Sequence, residues 1–592
     1  MQLTAIDWAI IGFFFLVYLV IGVLVSRQAG KSFRSFFLGG QKMPWWILGL
    51  SMVATTFATD TPNLVADIVR KNGVAGNWVW WAFLLSGVVT VFFFAKLWRR
   101  SGVMTDIEFN ELRYSGKEAA VLRGFRAVYL GVIFNTIVMA NVTLAAVKIG
   151  AVMFGLTPMQ TIAIAATVTV VYSSAGGLTG VLLTDCIQFV LAVCGAIGAA
   201  IFVVNMPEVG GWSNLLANEN VTGKLSIFPD FNNTPWEVVV AIFVVPLAVQ
   251  WWATYYPGAE PGGGGYVVQR VLAAKNERHA AGATLLFNLL HYALRPWPWI
   301  IVALASLVVF PDLDALRSAF PDLNPSLVND DLAYPAMLTY LPPGLLGVVV
   351  TSLIAAYMST MSTQINWGSS IVVNDVYHRF VAPEASEKSL VRAGRIMTVV
   401  SMILASVVAL YLESALKAFE ILLQIGAGTG LIFMLRWFWW RINATTEITA
   451  MVVSFAVAVF FHFVDPEGWT TAGRLVGGIA VTTVAWLIAA FVSKPTDAAT
   501  LRDFYLKIRP GGPGWSKVAA EVDVSAGIAV EKQNDLASAF LCSLGTLLAI
   551  YGLLFTTGYV LYGKLGMAAL TAAAAVVGAF ILKSNWRKLF FE

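Results

Sequence analysis

The hydrophobic positions of this chain fall in long runs. Apolar stretches of about 20 residues recur from end to end, each long enough to cross a hydrocarbon layer of about 30 Å as a helix. About fifteen spans follow: 6–26, 44–70, 77–98, 124–154, 158–174, 176–204, 236–256, 280–310, 336–374, 391–412, 417–441, 446–463, 473–493, 539–559 and 565–583. Strands of a membrane barrel alternate apolar and polar positions, and runs this continuous do not fit them. The pattern predicts an all-α polytopic membrane protein.

Basic residues orient the spans, because Lys and Arg accumulate in cytoplasmic loops. Arg27, Lys31, Arg34 and Lys42 follow the first span, and Arg99, Arg100, Arg113, Lys117 and Arg123 follow the third. Arg270, Lys275 and Arg278 lie in 266–279, and six basic residues lie in 494–538. The alternate loops are poor in them: 205–235 has only Lys224, and 311–335 has Arg317 against five aspartates. This predicts a multi-pass protein of the plasma (inner) membrane, N-terminus outside and C-terminus cytoplasmic. The loop 494–538, at 45 residues, is too short for an independent enzyme domain.

Composition agrees. Of 592 residues, 58% are apolar and 12% charged, against roughly 25% charged in a soluble domain. The net charge of +4 is explained by the loops and gives no reason to expect nucleic acid. Cys186, Cys194 and Cys542 have no disulfide or metal spacing, and His279, His291, His378 and His462 form no metal motif, so an enzyme is not expected. The first run begins after MQLTAID with no basic residue before it and no cleavage motif, which marks a retained helix.

Two spans carry breaks. The second contains ATTFATDTPN, residues 54 to 63, with Asp60 and Pro62 at mid-depth. The seventh runs through VQWWATYYPGAEPGGGG, residues 249 to 265, which no helix crosses intact. Non-helical backbone at membrane depth persists where it is buried in protein or lines a watery cavity. Interrupted spans five apart point to an inverted-repeat transporter with its binding site at the breaks. The competing reading is an ordinary kink at Pro62 and a surface loop at the glycines.

Hydroxyls crowd one place, AAYMSTMSTQIN at 355–366. Positions three and four apart share a helix face, so Ser359, Ser362 and Thr363 form one stripe with Thr360 beside it. Small hydroxylated residues also serve helix packing in membranes. Four in a turn and a half exceed that need, and hydroxyls with freed carbonyls suit a hard cation such as Na⁺. Asp185 lies mid-apolar beside Thr184 and Gln188. An acid at that depth marks a functional site or a bonded structural acid, because left unpaired it costs several kcal/mol.

Three stretches together resemble one family. VYSSAGGLTGVLLTDCIQF at 171–189 is similar to its glycine-pair, Thr-Asp and Gln motif, YVVQRVLAAKNERHA at 266–280 to its Val-Gln-Arg segment, and MSTMSTQINWGSSIVVNDVY at 358–377 to its ion-binding helix ending in Asp-x-Tyr. The chain resembles the sodium/solute symporters, which include sodium–glucose, sodium–proline and sodium–sialate transporters, over about residues 1–445. The resemblance implies a LeuT-type core of five plus five inverted helices, the spans in 44–441, with one helix before and about four after. The chain then divides into 1–43, an N-terminal helix and loop; 44–445, the transport core; and 446–592, extra helices with the loop 494–538.

The resemblance also implies ligands. The main sodium site falls on the carbonyls of Ala54, Phe57 and Ala356 and the hydroxyls of Ser359 and Thr360. Some members bind a second sodium ion, for which the matching residues are Asp185, Ser359, Ser362 and Thr363. The solute pocket beside the breaks gathers Thr56, Asp60, Thr61, Asn77, Gln250, Trp251, Trp252 and Tyr255, with Gln424 and Glu420 at an inner gate. Sugar transporters of the family carry a Glu where this chain has Asn77 and a His where it has Thr61. Asp60 and Arg295 are distinctive: together they suit a zwitterion or a gate, while Arg295 also has the reach to snorkel to an interface.

The expectation is sodium-coupled secondary active symport of a small polar organic solute by alternating access, in a lipid bilayer, by a monomer or weak oligomer. A sugar or polyol is favoured over an amine or amino acid. The alternative of another class is a transporter-like solute sensor, which a long C-terminal signalling domain would mark.

Overall fold

The computed structural model describes residues 3–29, 33–464, 468–526 and 536–590. Lys31 and residues 527–535 of the 494–538 loop lie outside the described residues. The described residues fold as helices joined by short irregular segments and two isolated β-bridges. Eleven helices among them are long and apolar enough to span a bilayer, and three shorter apolar ones, Ala5–Tyr18, Trp45–Thr56 and Pro158–Val170, accompany them.

Helix α1, Ala5–Ala29, precedes the core. The first expected break is present: α2, Trp45–Thr56, and α3, Asp60–Asn72, are separate helices. They are followed by α4, Val74–Ser101, α5, Gly116–Phe154, and α6, Pro158–Val204. Gly177 (φ 54°, ψ −172°) divides α6 into two helices, which correspond to the two expected spans 158–174 and 176–204 and complete a first set of five. A second set of five repeats the plan. Its first member is again broken, into α7, Trp236–Ala253, and α8, Gly265–Ala273. Then come α9, Glu277–Val309, α10, Leu345–Val381, and α11, Glu387–Ala409. The expected span 417–441 is instead two short helices, α12, Ala415–Ile425, and α13, Gly430–Phe438. Beyond the core lie α14, Ala444–Phe463, α15, Thr471–Val492, α16, Ala498–Ile508, α17, Leu536–Leu561, and α18, Leu565–Phe590.

The third break has a local cause. Tyr255 donates its N–H to the Gly426 carbonyl at 3.0 Å, and Thr254 bridges to Ala427. The extended backbone after α7 thus pairs with the gap between α12 and α13, and each break satisfies the other's peptide groups. A Cβ on Gly426 would lie 2.0 Å from the Tyr255 carbonyl, so glycine alone fits there.

Buried ion pairs fasten the ends of the core. Arg70 reaches Asp330 at 2.8 Å and Lys148 reaches Asp331 at 2.6 Å. Elsewhere Arg123 holds Asp375 and Glu111, each at 2.6 Å, and Arg126 meets Glu447 at 3.1 Å. The Asp of the Asp-x-Tyr motif is therefore an anchor for α10, with Thr105 donating a second bond at 2.8 Å.

Candidate functional site

The first break is written into the sequence around it. Helix α2 stops at Thr56, where Phe57 turns to φ −84°, ψ 60° and its N–H caps the carbonyls of Val53 and Ala54 at 2.9 and 3.0 Å. Pro62 sits in the first turn of α3, where its missing N–H breaks no helical bond. It starts the second half-helix rather than kinking a continuous one.

The hydroxyl stripe of α10 faces this break. Ser359, Thr360, Ser362 and Thr363 are all buried. Thr360 donates to the Thr55 carbonyl at 2.8 Å, and the Thr55 and Thr363 hydroxyls are 3.3 Å apart. Ser359 donates to Asp185 at 2.6 Å, and Ser51 of α2 donates to its other oxygen at 2.5 Å. Ser362 turns back onto the Ser359 carbonyl at 3.0 Å. The structure thus brings α2, α6 and α10 together at Asp185, Ser359, Thr360 and Thr363, with Ser51 and the Thr55 carbonyl as partners on α2.

One participant was not anticipated. Arg270 of α8 is fully buried and donates to Thr363 at 2.8 Å and to Ser51 at 3.3 Å, 3.9 Å from the Asp185 carboxylate. Its place in the Val-Gln-Arg segment was visible; its insertion into the membrane core depends on where α8 begins.

Beside the same break is a cavity of about 100 Å³. Thr56, Asp60, Thr61 and Arg295 line it, as expected. Arg295 donates to the Thr56 hydroxyl at 3.0 Å and stacks over Trp299 at 5.0 Å, so it points inward and does not snorkel. Asn141 donates to one Asp60 oxygen at 2.8 Å, while the other is buried without a partner among the described residues. Asp60 and Arg295 share the cavity without pairing: Arg295 Nε is also unpartnered. Sequence reasoning missed Trp80, Phe83, Asn141, Tyr256, His291, Gln364 and Phe419, which also line the wall. His291 lies one helical turn before Arg295 and contacts Thr56 at 3.1 Å, a spacing that would have revealed it.

The other expected solute residues are not at this cavity. Asn77 bonds the Val74 carbonyl and Trp80 Nε1, and Gln250 donates to the Val79 carbonyl at 2.7 Å. Trp251 and Trp252 donate to carbonyls one turn back in α7. Tyr255 packs edge-on against Phe134 and Phe433, and Gln424 donates to the Arg474 carbonyl at 3.3 Å. Glu420 is not among the lining residues either.

The family model described as the sodium:solute symporter family matches residues 36–454. Among the relatives, a sodium/glucose cotransporter of Vibrio parahaemolyticus is 26% identical over 78% of this chain and 86% of its own length. A sodium/myo-inositol cotransporter 2 of Oryctolagus cuniculus is 25% identical over 78% and 71%, and a sodium/mannose cotransporter of Bos taurus 25% over 67% and 68%. A Na⁺-coupled sialic acid symporter, solved substrate-bound and outward-open, superposes with a TM-score of 0.66 at 20% identity, covering 84% of this chain and 99% of that one. That likeness gives the LeuT-type fold. With a family model across more than two thirds of its length and the broken helices in place, the chain belongs to the sodium:solute symporter family, membrane transporters that couple a solute to sodium.

Proposed function

We propose that this protein carries a sugar or polyol with sodium by alternating access. One observation carries the reading: adjacent residues of a single helix end contact both the hydroxyl stripe of α10 and the groups of the cavity. The Thr55 carbonyl meets Thr360 on the ion side, and the Thr56 hydroxyl meets Arg295 and His291 on the cavity side. The carbonyls of Ala54, Phe57 and Ala356 and the hydroxyls of Ser359 and Thr360 are the main sodium ligands in this proposal. An ion there draws the C-terminal end of α2, where its carbonyls and the negative end of its dipole lie, onto α10. That fixes Thr56 and the cavity wall, so each ligand favours the occluded state and their transport is coupled.

The wall supports a polyhydroxylated solute. Trp80, Phe83, Tyr256 and Phe419 offer aromatic faces, and Asp60, Asn141, His291, Arg295 and Gln364 offer hydrogen-bonding groups between them. The names of the relatives given above include glucose, mannose and myo-inositol. The unpaired Asp60 and Arg295 groups favour a second reading, a zwitterionic amino acid. In both readings the chain sits with its N-terminus outside.

Thermal stability of the purified protein against a solute panel, in sodium and in potassium, tests this. A solute at 100 times its Kd stabilises the folded state by about 2.7 kcal/mol. The expected result is stabilisation by hexoses or inositols in sodium alone. Stabilisation only by amino acids moves the assignment to the second reading, and no difference between sodium and potassium sinks the ion site.

A further inference from the structure

We propose that the acyl chain of a bilayer phospholipid occupies an apolar cavity behind the first break, a lipid site separate from the solute cavity. This goes beyond the transport reading above and does not depend on which solute is carried.

The cavity measures about 290 Å³ and lies between α1, α5, the start of α6 and α10. Among the described residues its wall is built from aliphatic and aromatic side chains, with three hydroxyls. Thr59 donates to the Val142 carbonyl at 3.3 Å, Thr161 donates to the Thr157 carbonyl at 3.2 Å, and the Tyr357 hydroxyl lies 3.5 Å from that of Thr143. A buried water makes about three hydrogen bonds, and this wall is short of groups to make them. An apolar cavity of about 150 Å³ already stays dry and takes up an apolar guest. Left empty, the wall would also forgo the dispersion contacts of a filled interior.

Position selects the guest. One end of the cavity lies where α5 turns into α6, at residues 155–157. There Trp8 packs on Phe154 with ring centroids 6.4 Å apart, and tryptophan favours the membrane interface. From Phe154 back to Ala146 the lining follows α5 for eight residues, about 12 Å along the helix. The rim includes Trp8 and Ile164, each more than half exposed, so the cavity reaches the surface that faces lipid. A chain hanging from a headgroup beside Trp8 enters along that axis, and the bilayer presents such chains at the mouth as solvent.

The deep end meets the transport core. Thr59 lies between Ala58 and Asp60, which line the solute cavity, so the backbone of the break separates the two spaces. On α10 the cavity is lined by Leu353, Tyr357 and Met358, just before Ser359 and Thr360. A chain seated here therefore backs both the break and the hydroxyl stripe.

Photolabelling tests the site. The full-length protein is reconstituted in nanodiscs containing phosphatidylcholine with a diazirine near the middle of one acyl chain. It is irradiated, digested and mapped by mass spectrometry. Leu353 and Met358 are each 2% exposed, so lipid that only coats the surface does not reach them. The expected result is label at these residues as well as at the exposed Val576 and Phe580 of α18. Ala146→Phe and Ala165→Phe fill the cavity and are expected to abolish label at Leu353 and Met358 while leaving it at Val576 and Phe580. Label confined to exposed residues in the wild type, or label at Met358 that persists in both filled variants, overturns the proposal. If neither variant folds, the wild-type map decides alone. Label at Met358 from free adamantyl diazirine but not from the phospholipid assigns the cavity to a small apolar guest and overturns the lipid assignment.

Discussion

Thr360 reaches from α10 to the carbonyl of Thr55, one residue before α2 ends. Removing that hydroxyl deletes a proposed ion ligand and loosens the helix end together. Thr360→Ala is expected to raise the sodium concentration for half-maximal uptake by about tenfold, the scale of losing one bond to a charged group. Solute KM at saturating sodium should move much less, and uptake measured across sodium concentrations separates the two. Asp60 divides the solute readings. Asp60→Asn keeps the shape beside Asn141 but removes the charge, so sugar uptake should fall only severalfold while uptake of a cationic amine or zwitterion should disappear. The stripe at Ser359–Thr363 was legible because helical periodicity alone puts those hydroxyls on one face. Trp251, Trp252 and Gln250 were misplaced for a geometric reason. Residues 240–244 and 246–250 form π-helical turns, and each added residue per turn rotates everything after it away from an α-helical projection.

At the scale of elements, the breaks decide what the site can be. The glycines of 257–265 allow the chain to turn within protein: Gly262 and Gly263 have φ of 79° and 75°, a region unfavourable to other residues. The second half-helix therefore begins at Gly265, which sets Arg270 at the depth of Asp185. Gly426→Ala would drive a methyl group into the Tyr255 carbonyl and separate the paired breaks. The expected loss is about 1–3 kcal/mol, the usual range for overpacking, read as a lower Tm of the purified protein. Asp375→Asn should destabilise by about 3–5 kcal/mol, because it leaves Arg123 buried without the more buried of its two partners. Thermal melts check both, and an unchanged Tm in Asp375→Asn would show that Glu111 alone suffices for Arg123.

At the scale of the whole molecule, 494–526 is no free-standing piece. Trp515 donates to the Trp437 carbonyl at 2.7 Å, and Arg113 lies against the rings of Phe504 and Trp515 at 5.2 and 4.8 Å, so α16 and the turn after it pack on α13. If a neutral solute moves with one sodium ion, each cycle carries one net charge, worth about 2.3 kcal/mol per 100 mV. An inside-negative potential imposed on proteoliposomes should therefore raise solute accumulation several tens of fold per 100 mV. Accumulation independent of potential would require a compensating counter-ion.

The membrane-spanning helical class, the two principal breaks and the hydroxyl stripe were determined by the sequence, because hydrocarbon imposes long apolar runs and makes every Pro, Gly cluster and oxygen at mid-depth conspicuous. The family likeness followed from motifs short enough to read directly. Only the tertiary structure decided which groups meet. The pairing of Tyr255 with Gly426, the arrival of Arg270 at Asp185 and the cavity formed by Asp60, Asn141, His291 and Arg295 join residues far apart in the chain. Those contacts depend on the rotation of each helix about its axis and on where each half-helix starts. A local hydrophobic pattern sets neither, because in a bilayer lipid and protein neighbours are equally apolar.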